Sequence, residues 1–243
     1  MSSDLGFSLH KNGNTLFYGK FDDHQEAYEY IYHNNLEVAH WNSDIWFQRQ
    51  LNFYKSAIRG ISPRPTMLPS TLQNIKVNSV IDLGGGSGWL GKMIPNSLDY
   101  YVIETDNYVE EAKGNATLNS INYIKKENSN VKKPILLYSN STIQYVNDYI
   151  KFISQNSFNY VLLDDVLISS IQCWTLQIYY EKYFIRRIFT EKDIINEFLQ
   201  NGYALINNLN YPRNITQMND TLICQDGQLY KMLGSKSFLF KLL

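Results

Sequence analysis

Val80-Ile81-Asp82-Leu83-Gly84-Gly85-Gly86-Ser87-Gly88 decides the reading of this chain: an apolar strand runs into an acid and then into a loop packed with glycine. Glycine at 84, 85, 86 and 88 lets the backbone take positive φ and approach a ligand closely. So many glycines destabilise a turn entropically unless something needs them. A helix beginning near Ser87 would aim its first N–H groups at any anion held in the loop. The next strand, Tyr100-Tyr101-Val102-Ile103, ends in Glu104. A glycine loop with a carboxylate at the tip of the next strand predicts an adenosine-containing cofactor. Gly86-x-Gly88-x-x-Gly91 spells the dinucleotide fingerprint. That fingerprint places its first glycine directly after the strand, however, and here Gly84 and Gly85 already fill the turn.

Working outward, strand and helix alternate from Val77 onward, the pattern of a parallel α/β sheet. Strands are expected at 78–83, 99–104, weakly at 121–124, at 135–138, 160–163 and 203–206, with a closing strand at 237–242. Helices are expected at 107–118, after Ser141, and after Thr190. Ser141 with Gln144 spells a capping box, followed by an apolar stripe of Ile143, Val146, Ile150 and Ile153. Thr190 caps a helix that turns Ile194, Ile195, Phe198 and Leu199 inward and stops before Gly202. Asp226-Gly227 is a hairpin signal between 221–224 and 228–232. Residues 1–75 read differently, with a short strand at 16–19, a helix start at Asp22-Asp23-His24, an amphipathic helix over 43–59 and a breaker at Ser62-Pro63-Arg64-Pro65. The division expected is an N-terminal helical cap over 1–75 and a cofactor-binding domain over 76–243. Within the latter, 166–189 is an aromatic insert: an acceptor lid, a homodimer surface or both.

Composition narrows the partners. With 22 basic against 23 acidic side chains in 243 residues and no basic stripe, nucleic acid is not the expected partner. Cys173 and Cys224 stand far apart and in no CxxC, which excludes a disulfide framework and a cysteine-rich zinc site. No apolar run reaches the length of a membrane span. Met1-Ser2-Ser3-Asp4 has neither a basic nor an apolar leader region, so the expectation is a soluble cytoplasmic protein.

Asp82-x-Gly84-x-Gly86-x-Gly88 followed by Glu104 resembles motif I of the class I S-adenosylmethionine-dependent methyltransferases. The resemblance implies a Rossmann-like α/β sheet, mostly parallel with an antiparallel last strand, and S-adenosylmethionine as cofactor. Asp82 would order the loop and Glu104 would take the ribose hydroxyls. The whole chain also resembles a family of methyltransferases of bacterial surface-polysaccharide loci. Its landmarks here are Arg49, Asp82 to Gly88, Val102-Ile103-Glu104, Ser139 to Tyr145, Leu163-Asp164 and Asn201-Gly202-Tyr203. That resemblance implies a small-molecule acceptor, a sugar or sugar-nucleotide destined for capsule or lipopolysaccharide. Cofactor contacts then fall to Asp82, Gly84, Gly85, Gly86, Gly88, Glu104, Ser139, Asn140 and Tyr145, with Arg49 a candidate for the methionine carboxylate. The family pattern expects a basic residue after the strand-five acid, where this chain has Asp165. It also expects an acid after the third strand, for which Asn122, Glu127 or a backbone group would substitute.

A hydroxyl acceptor needs a base. His10, His24, His33 and His40 all precede the α/β part. Asp164 and Asp165 lie at the carboxyl end of a strand, where open α/β sheets place ligands; with His40, which could reach in from the cap, they are the catalytic candidates. Two acids are too few oxygen ligands to predict a metal. Other small-molecule acceptors, a nicotinamide-dependent enzyme and a non-catalytic interaction module remain as alternatives.

Overall fold

The computed structural model describes residues 16–38, 44–125, 130–179, 182–212 and 221–243. Four parallel strands form the centre: β2 (Ser79–Leu83), β3 (Asp99–Ile103), β4 (Ile135–Asn140) and β5 (Tyr160–Ser169). Their spatial order is β3-β2-β4-β5. The predicted weak strand at 121–124 is a parallel bridge outside β3, where Val102 N donates to Asn122 O and Ile124 N to Val102 O, each at 2.9 Å. On the other side, β10 (Leu229–Leu242) runs antiparallel to β5, and β8 (Tyr203–Asn210) runs antiparallel to β10. This is the expected Rossmann-like sheet, with the antiparallel last strand inserted before the end.

The sheet is buried on both faces, which is why its strands read as apolar runs. Along β4 the alternation is plain. Ile135 and Leu137 pack with Tyr149, Ile153, Phe198 and Phe240 on one face, while Leu136 and Tyr138 pack with Phe47, Tyr54, Trp89 and Leu239 on the other. The first face is covered by helices at Tyr149–Asn156 and Glu191–Gln200. The second is covered by helices at Asp44–Ile58 and Asp106–Gly114. In chain order the helices are α1 (His24–His33), α2 (Asp44–Ile58), α3 (Leu68–Leu72), α4 (Asp106–Gly114), α5 (Tyr149–Asn156) and α6 (Glu191–Gln200). As predicted, the side chain of Thr190 caps α6 by accepting from Asp193 N, and Gly202 follows the helix at φ 82°. Leu199 differs from expectation: it is 48% exposed, while Ile194 and Phe198 are buried and Ile195 packs half-buried against the same core.

Beyond β10 the sheet continues through β9 (Thr221–Ile223), β1 (Leu16–Phe21), β6 (Cys173–Tyr179) and β7 (Lys182–Ile188). In this mixed layer β9 and β1 pair parallel and the other pairs are antiparallel, an assembly the sequence pattern did not predict. Among the described residues the ten-stranded order is β3-β2-β4-β5-β10-β9-β1-β6-β7, with β8 paired to β10. The aromatic insert is therefore the β6–β7 hairpin, and α1 packs on it through Ala27 and Ile31 against Trp174 and Leu176. β10 joins both layers, pairing β9 through 229–231 and β5 from Met232 onward, and it bends at Gly234, where φ is 108°. The Asp226-Gly227 hairpin forms as predicted.

Two predicted helices are shorter than expected. After the glycine loop only a 3-10 turn forms, Trp89–Lys92, since Gly91 weakens the segment and Pro95 stops it. The N-terminal N–H cluster expected there is thus reduced to one turn. After β4 the capping box does not form: Ser141 sits at φ 59°, outside the extended conformation an N-cap needs, and Gln144 bonds its hydroxyl instead at 3.0 Å. A 3-10 turn at Ile143–Tyr145 follows, and α5 starts only at Tyr149.

Candidate functional site

A cleft of about 360 Å³ opens at the carboxyl ends of β2, β3 and β4. Ligands bind at this end of open α/β sheets. The floor is the loop after β2. Gly84, Gly86 and Gly88 hold φ of 71°, 53° and 63°, and each position is packed as well as bent. A Cβ on Gly84 would overlap the side chain of Thr142, one on Gly86 that of Gln50, and one on Gly85 would lie 2.5 Å from Asp82 Cγ. The glycines are thus required by conformation and by close approach together. Gly84 and Gly85 line the cleft, whereas Gly86 and Gly88 hold the loop's shape from behind.

Asp82 lies beneath the loop, 2% exposed, and accepts a 2.5 Å hydrogen bond from the Tyr100 hydroxyl. Burial pushes its carboxyl up to about 7; the Tyr100 hydroxyl pulls the other way, and Glu104 and Asp164 add to the rise. Glu104 follows β3 and meets the loop. Its Oε1 accepts from Gly86 N at 2.9 Å and its Oε2 from Thr105 N at 3.1 Å. Burial also raises this carboxyl, opposed by those two backbone donors. Tyr123, on the bridging segment, closes the loop from the far side by donating to Gly86 O at 3.0 Å.

The roof is α2. Gln50 accepts weakly from Ser87 N at 3.4 Å. One residue earlier, Arg49 lines the cleft with its guanidinium 5.7 Å from the Trp46 ring and 5.4 Å from the Phe53 ring. Both aromatic rings also face the cleft.

The far wall begins after β4. Asn140 lines the cleft and donates to the Tyr138 hydroxyl at 3.0 Å. Tyr145 lines it and donates to Gln177 Oε1 at 2.6 Å. Gln177 from β6 and Arg186 from β7 complete the wall, so the aromatic insert reaches the site through its polar residues. Arg186 is 1% exposed, and its Nη1 donates to Gln177 at 3.1 Å and to the Tyr145 hydroxyl at 3.3 Å.

Of the sequence candidates, Asp82, Gly84, Gly85, Glu104, Asn140, Tyr145 and Arg49 therefore meet at one cleft. Ser139 does not line it; its side chain is buried beneath the strand end. Asp164 and Asp165 do not line it either. Asp164 Oδ2 accepts from Met67 N at 2.8 Å, Tyr138 Oη at 3.0 Å and Thr66 Oγ1 at 3.1 Å, so it anchors the 62–67 connection onto the sheet. Burial raises its carboxyl, and those donors oppose the rise. Asp165, at φ 55°, meets Arg64 Nη2 at 3.4 Å. His40 and Glu127 lie outside the described residues, and Asn122 is off the cleft.

Sequence reasoning missed Gln50, Arg64, Thr142, Gln177 and Arg186. Gln50 and Thr142 were adjacent to named candidates. Gln177 and Arg186 come from a hairpin whose pairing, Gln177 opposite Phe184 and Leu176 opposite Ile185, no local signal revealed.

No protein-family model matches this sequence, and no curated protein matches it. Among solved structures it is similar in fold to an S-adenosylmethionine-dependent methyltransferase from Clostridium acetobutylicum, at 12% identity over 81% of this chain and 98% of that one, TM-score 0.46. A second such methyltransferase, from Mesorhizobium loti, matches at 12% identity over 72% and 97%, TM-score 0.44. The 1,6-didemethyltoxoflavin N1-methyltransferase of Burkholderia thailandensis, crystallised with 1,6-didemethyltoxoflavin and S-adenosylhomocysteine, matches at 8% identity over 100% and 91%, TM-score 0.48. Among the described residues no helix is long and apolar enough to cross a membrane.

Proposed function

We propose that this chain is an S-adenosylmethionine-dependent methyltransferase acting on a small-molecule acceptor. One observation carries the reading. The glycine loop after β2 and the Glu104 carboxylate after β3, joined by the Gly86 N to Glu104 Oε1 bond, line a single cleft at the carboxyl ends of parallel strands. The residues fit the cofactor. Gly84 and Gly85 line the cleft with bare backbone, and a Cβ at either would run into Thr142 or Asp82. Glu104 is an acceptor-only group when ionised, suited to a ribose diol. Trp46, Phe53 and Trp89 supply apolar surface, and Arg49 a fork for a carboxylate.

Bound there, the cofactor supplies an activated methyl group. The chain's part is to orient and desolvate, which is where much of the rate of a displacement arises. Glu104 and the loop fix one end, and α2 covers the cleft. Tyr145, Gln177 and Asn140 offer the acceptor donors and acceptors on the opposite wall. For the acceptor atom we favour a sugar hydroxyl, on the family resemblance set out above and on these polar groups. Asp164 and Asp165 support this chemistry as positioning groups behind the wall, and His40, outside the described residues, is the remaining candidate base.

The test is calorimetric binding of S-adenosylhomocysteine to the full chain and to E104A. The variant should lose about tenfold or more in affinity, since each charge-assisted hydrogen bond is worth about 1.5–3 kcal/mol. Equal affinity in both proteins would remove Glu104 from the cofactor site and the reading with it.

A further inference from the structure

We infer that Ser141 is a ligand-binding residue whose hydroxyl holds the amino-acid end of the cofactor at the carboxyl end of β4. This rests on the methyltransferase reading, because it assigns one end of the same cleft. Among the described residues, four that carry a side chain take positive φ: Asn35, Ser141, Ser157 and Asp165. Asn35 and Ser157 stand just past the ends of α1 and α5, where left-handed residues commonly close helices. Asp165 lies within β5 and off the cleft. Ser141, at φ 59°, is the one of the four that lines it. A left-handed backbone costs stability in any residue with a Cβ, and serine lacks the tolerance of asparagine or aspartate. Such conformations persist where the surroundings over-determine them, and they cluster at ligand sites.

The surroundings of Ser141 are specific. Its N–H donates to Asp164 O at 2.9 Å, which holds the turn against the neighbouring strand. Gln144, 1% exposed, donates through Nε2 to Ser141 Oγ at 3.0 Å. A hydroxyl has one proton to give and two lone pairs. The Gln144 bond therefore fixes the oxygen and leaves capacity for a ligand. Position then names the ligand group. Glu104 follows β3, the glycine loop follows β2 and Ser141 follows β4, and these strands are neighbours in the order β3-β2-β4. With strands about 4.8 Å apart, Ser141 stands about 10 Å from the Glu104 end. The next residue, Thr142, is the one that a Cβ on Gly84 would strike, so Ser141 sits beside the start of the loop. A cofactor with its ribose on Glu104 and its body across Gly84 and Gly85 delivers its amino-acid end to β4. That end carries a carboxylate and an ammonium, and a hydroxyl can donate to the first or accept from the second.

The experiment is calorimetry on the full chain, in wild type, S141A and S141G, with a melting curve for each protein. The ligands are S-adenosylhomocysteine and 5′-methylthioadenosine, which keeps the adenosine and the sulfur and lacks the amino-acid end. Both variants should lose about tenfold in affinity for S-adenosylhomocysteine. Their affinity for 5′-methylthioadenosine should stay within about twofold of wild type. S141G should melt no lower than wild type, because release of the left-handed strain offsets the freedom that glycine adds to the unfolded chain. A serine with only a structural role would instead lower Tm and weaken both ligands when replaced. Should S141A not fold, S141G decides alone. The inference is overturned if S141G binds S-adenosylhomocysteine as wild type does, or if the two ligands weaken together; either result leaves the methyltransferase reading standing. Failure of wild type to bind either ligand overturns that reading and this inference with it.

Discussion

Replacing Asp82 by asparagine should change how stability depends on pH, by an amount the structure sets. The Asp82 carboxyl rises from 3.8 to about 7 in the folded protein, chiefly through burial. The unfolded chain releases this proton near pH 4, whereas the folded protein keeps it until about pH 7. Wild type therefore loses stability as pH climbs through that window and levels off above it. A window about 3 pH units wide, at about 1.4 kcal/mol for each, gives about 4 kcal/mol. The amide of D82N would be neutral throughout, and its oxygen can still accept from the Tyr100 hydroxyl. Glu104, raised in the same direction, titrates in both proteins and largely cancels from their difference. Urea unfolding of wild type and D82N at about pH 4, 6 and 8 measures this. The stability difference should move in favour of D82N by about 4 kcal/mol between the lowest and the highest of these. Parallel pH curves would refute the claim that a buried carboxyl is held protonated beneath the loop.

Further outcomes follow from the same geometry. G84A imposes φ 71° on a residue with a Cβ and drives it into Thr142; it should cost about 1–2 kcal/mol from the backbone alone and abolish S-adenosylhomocysteine binding by calorimetry. T190A removes the acceptor for Asp193 N and should cost about 1 kcal/mol, seen as a lower Tm with unchanged S-adenosylhomocysteine affinity. F198A deletes a ring stacked 3.9 Å from Phe240 in the core and should cost about 3–5 kcal/mol in urea unfolding. D164N weakens the hold on Met67 N, Thr66 and Tyr138 and should cost about 1–3 kcal/mol. Were Asp164 the base instead, D164N would abolish turnover and leave Tm unmoved.

The cofactor half of the site was legible because its constraints are local. Asp82, the glycines and Glu104 fall within one strand-loop-strand unit, and positive φ at Gly84, Gly86 and Gly88 leaves its mark on residue type. α1 and α6 were legible through Asp23 and Thr190, whose side chains cap helices as their types suggest. The acceptor half was not, because long-range pairing builds it. Gln177 and Arg186 reach the cleft only because β6 pairs with β7 and with β1, which lies far away in sequence, as the Thr175 to Tyr18 contact across 157 residues illustrates. Asp164 and Asp165 misled for the opposite reason. They were read as the end of a strand, but β5 runs on to Ser169, and the Thr66–Met67 backbone and Arg64, brought in from the connection before α3, bind them within it. The helix after the glycine loop failed on a signal present in the sequence, Gly91 with Pro95, which the strand-loop-helix pattern outweighed.

The central claim is that the Gly84–Glu104 cleft holds S-adenosylmethionine. Calorimetric titration of the wild-type chain and of E104A with S-adenosylhomocysteine, with NAD as the competing ligand, tests it most directly. The account predicts that wild type binds S-adenosylhomocysteine, that it does not bind NAD, and that E104A loses the interaction while keeping its fold. Binding of NAD alone, or S-adenosylhomocysteine binding that E104A leaves intact, would contradict it.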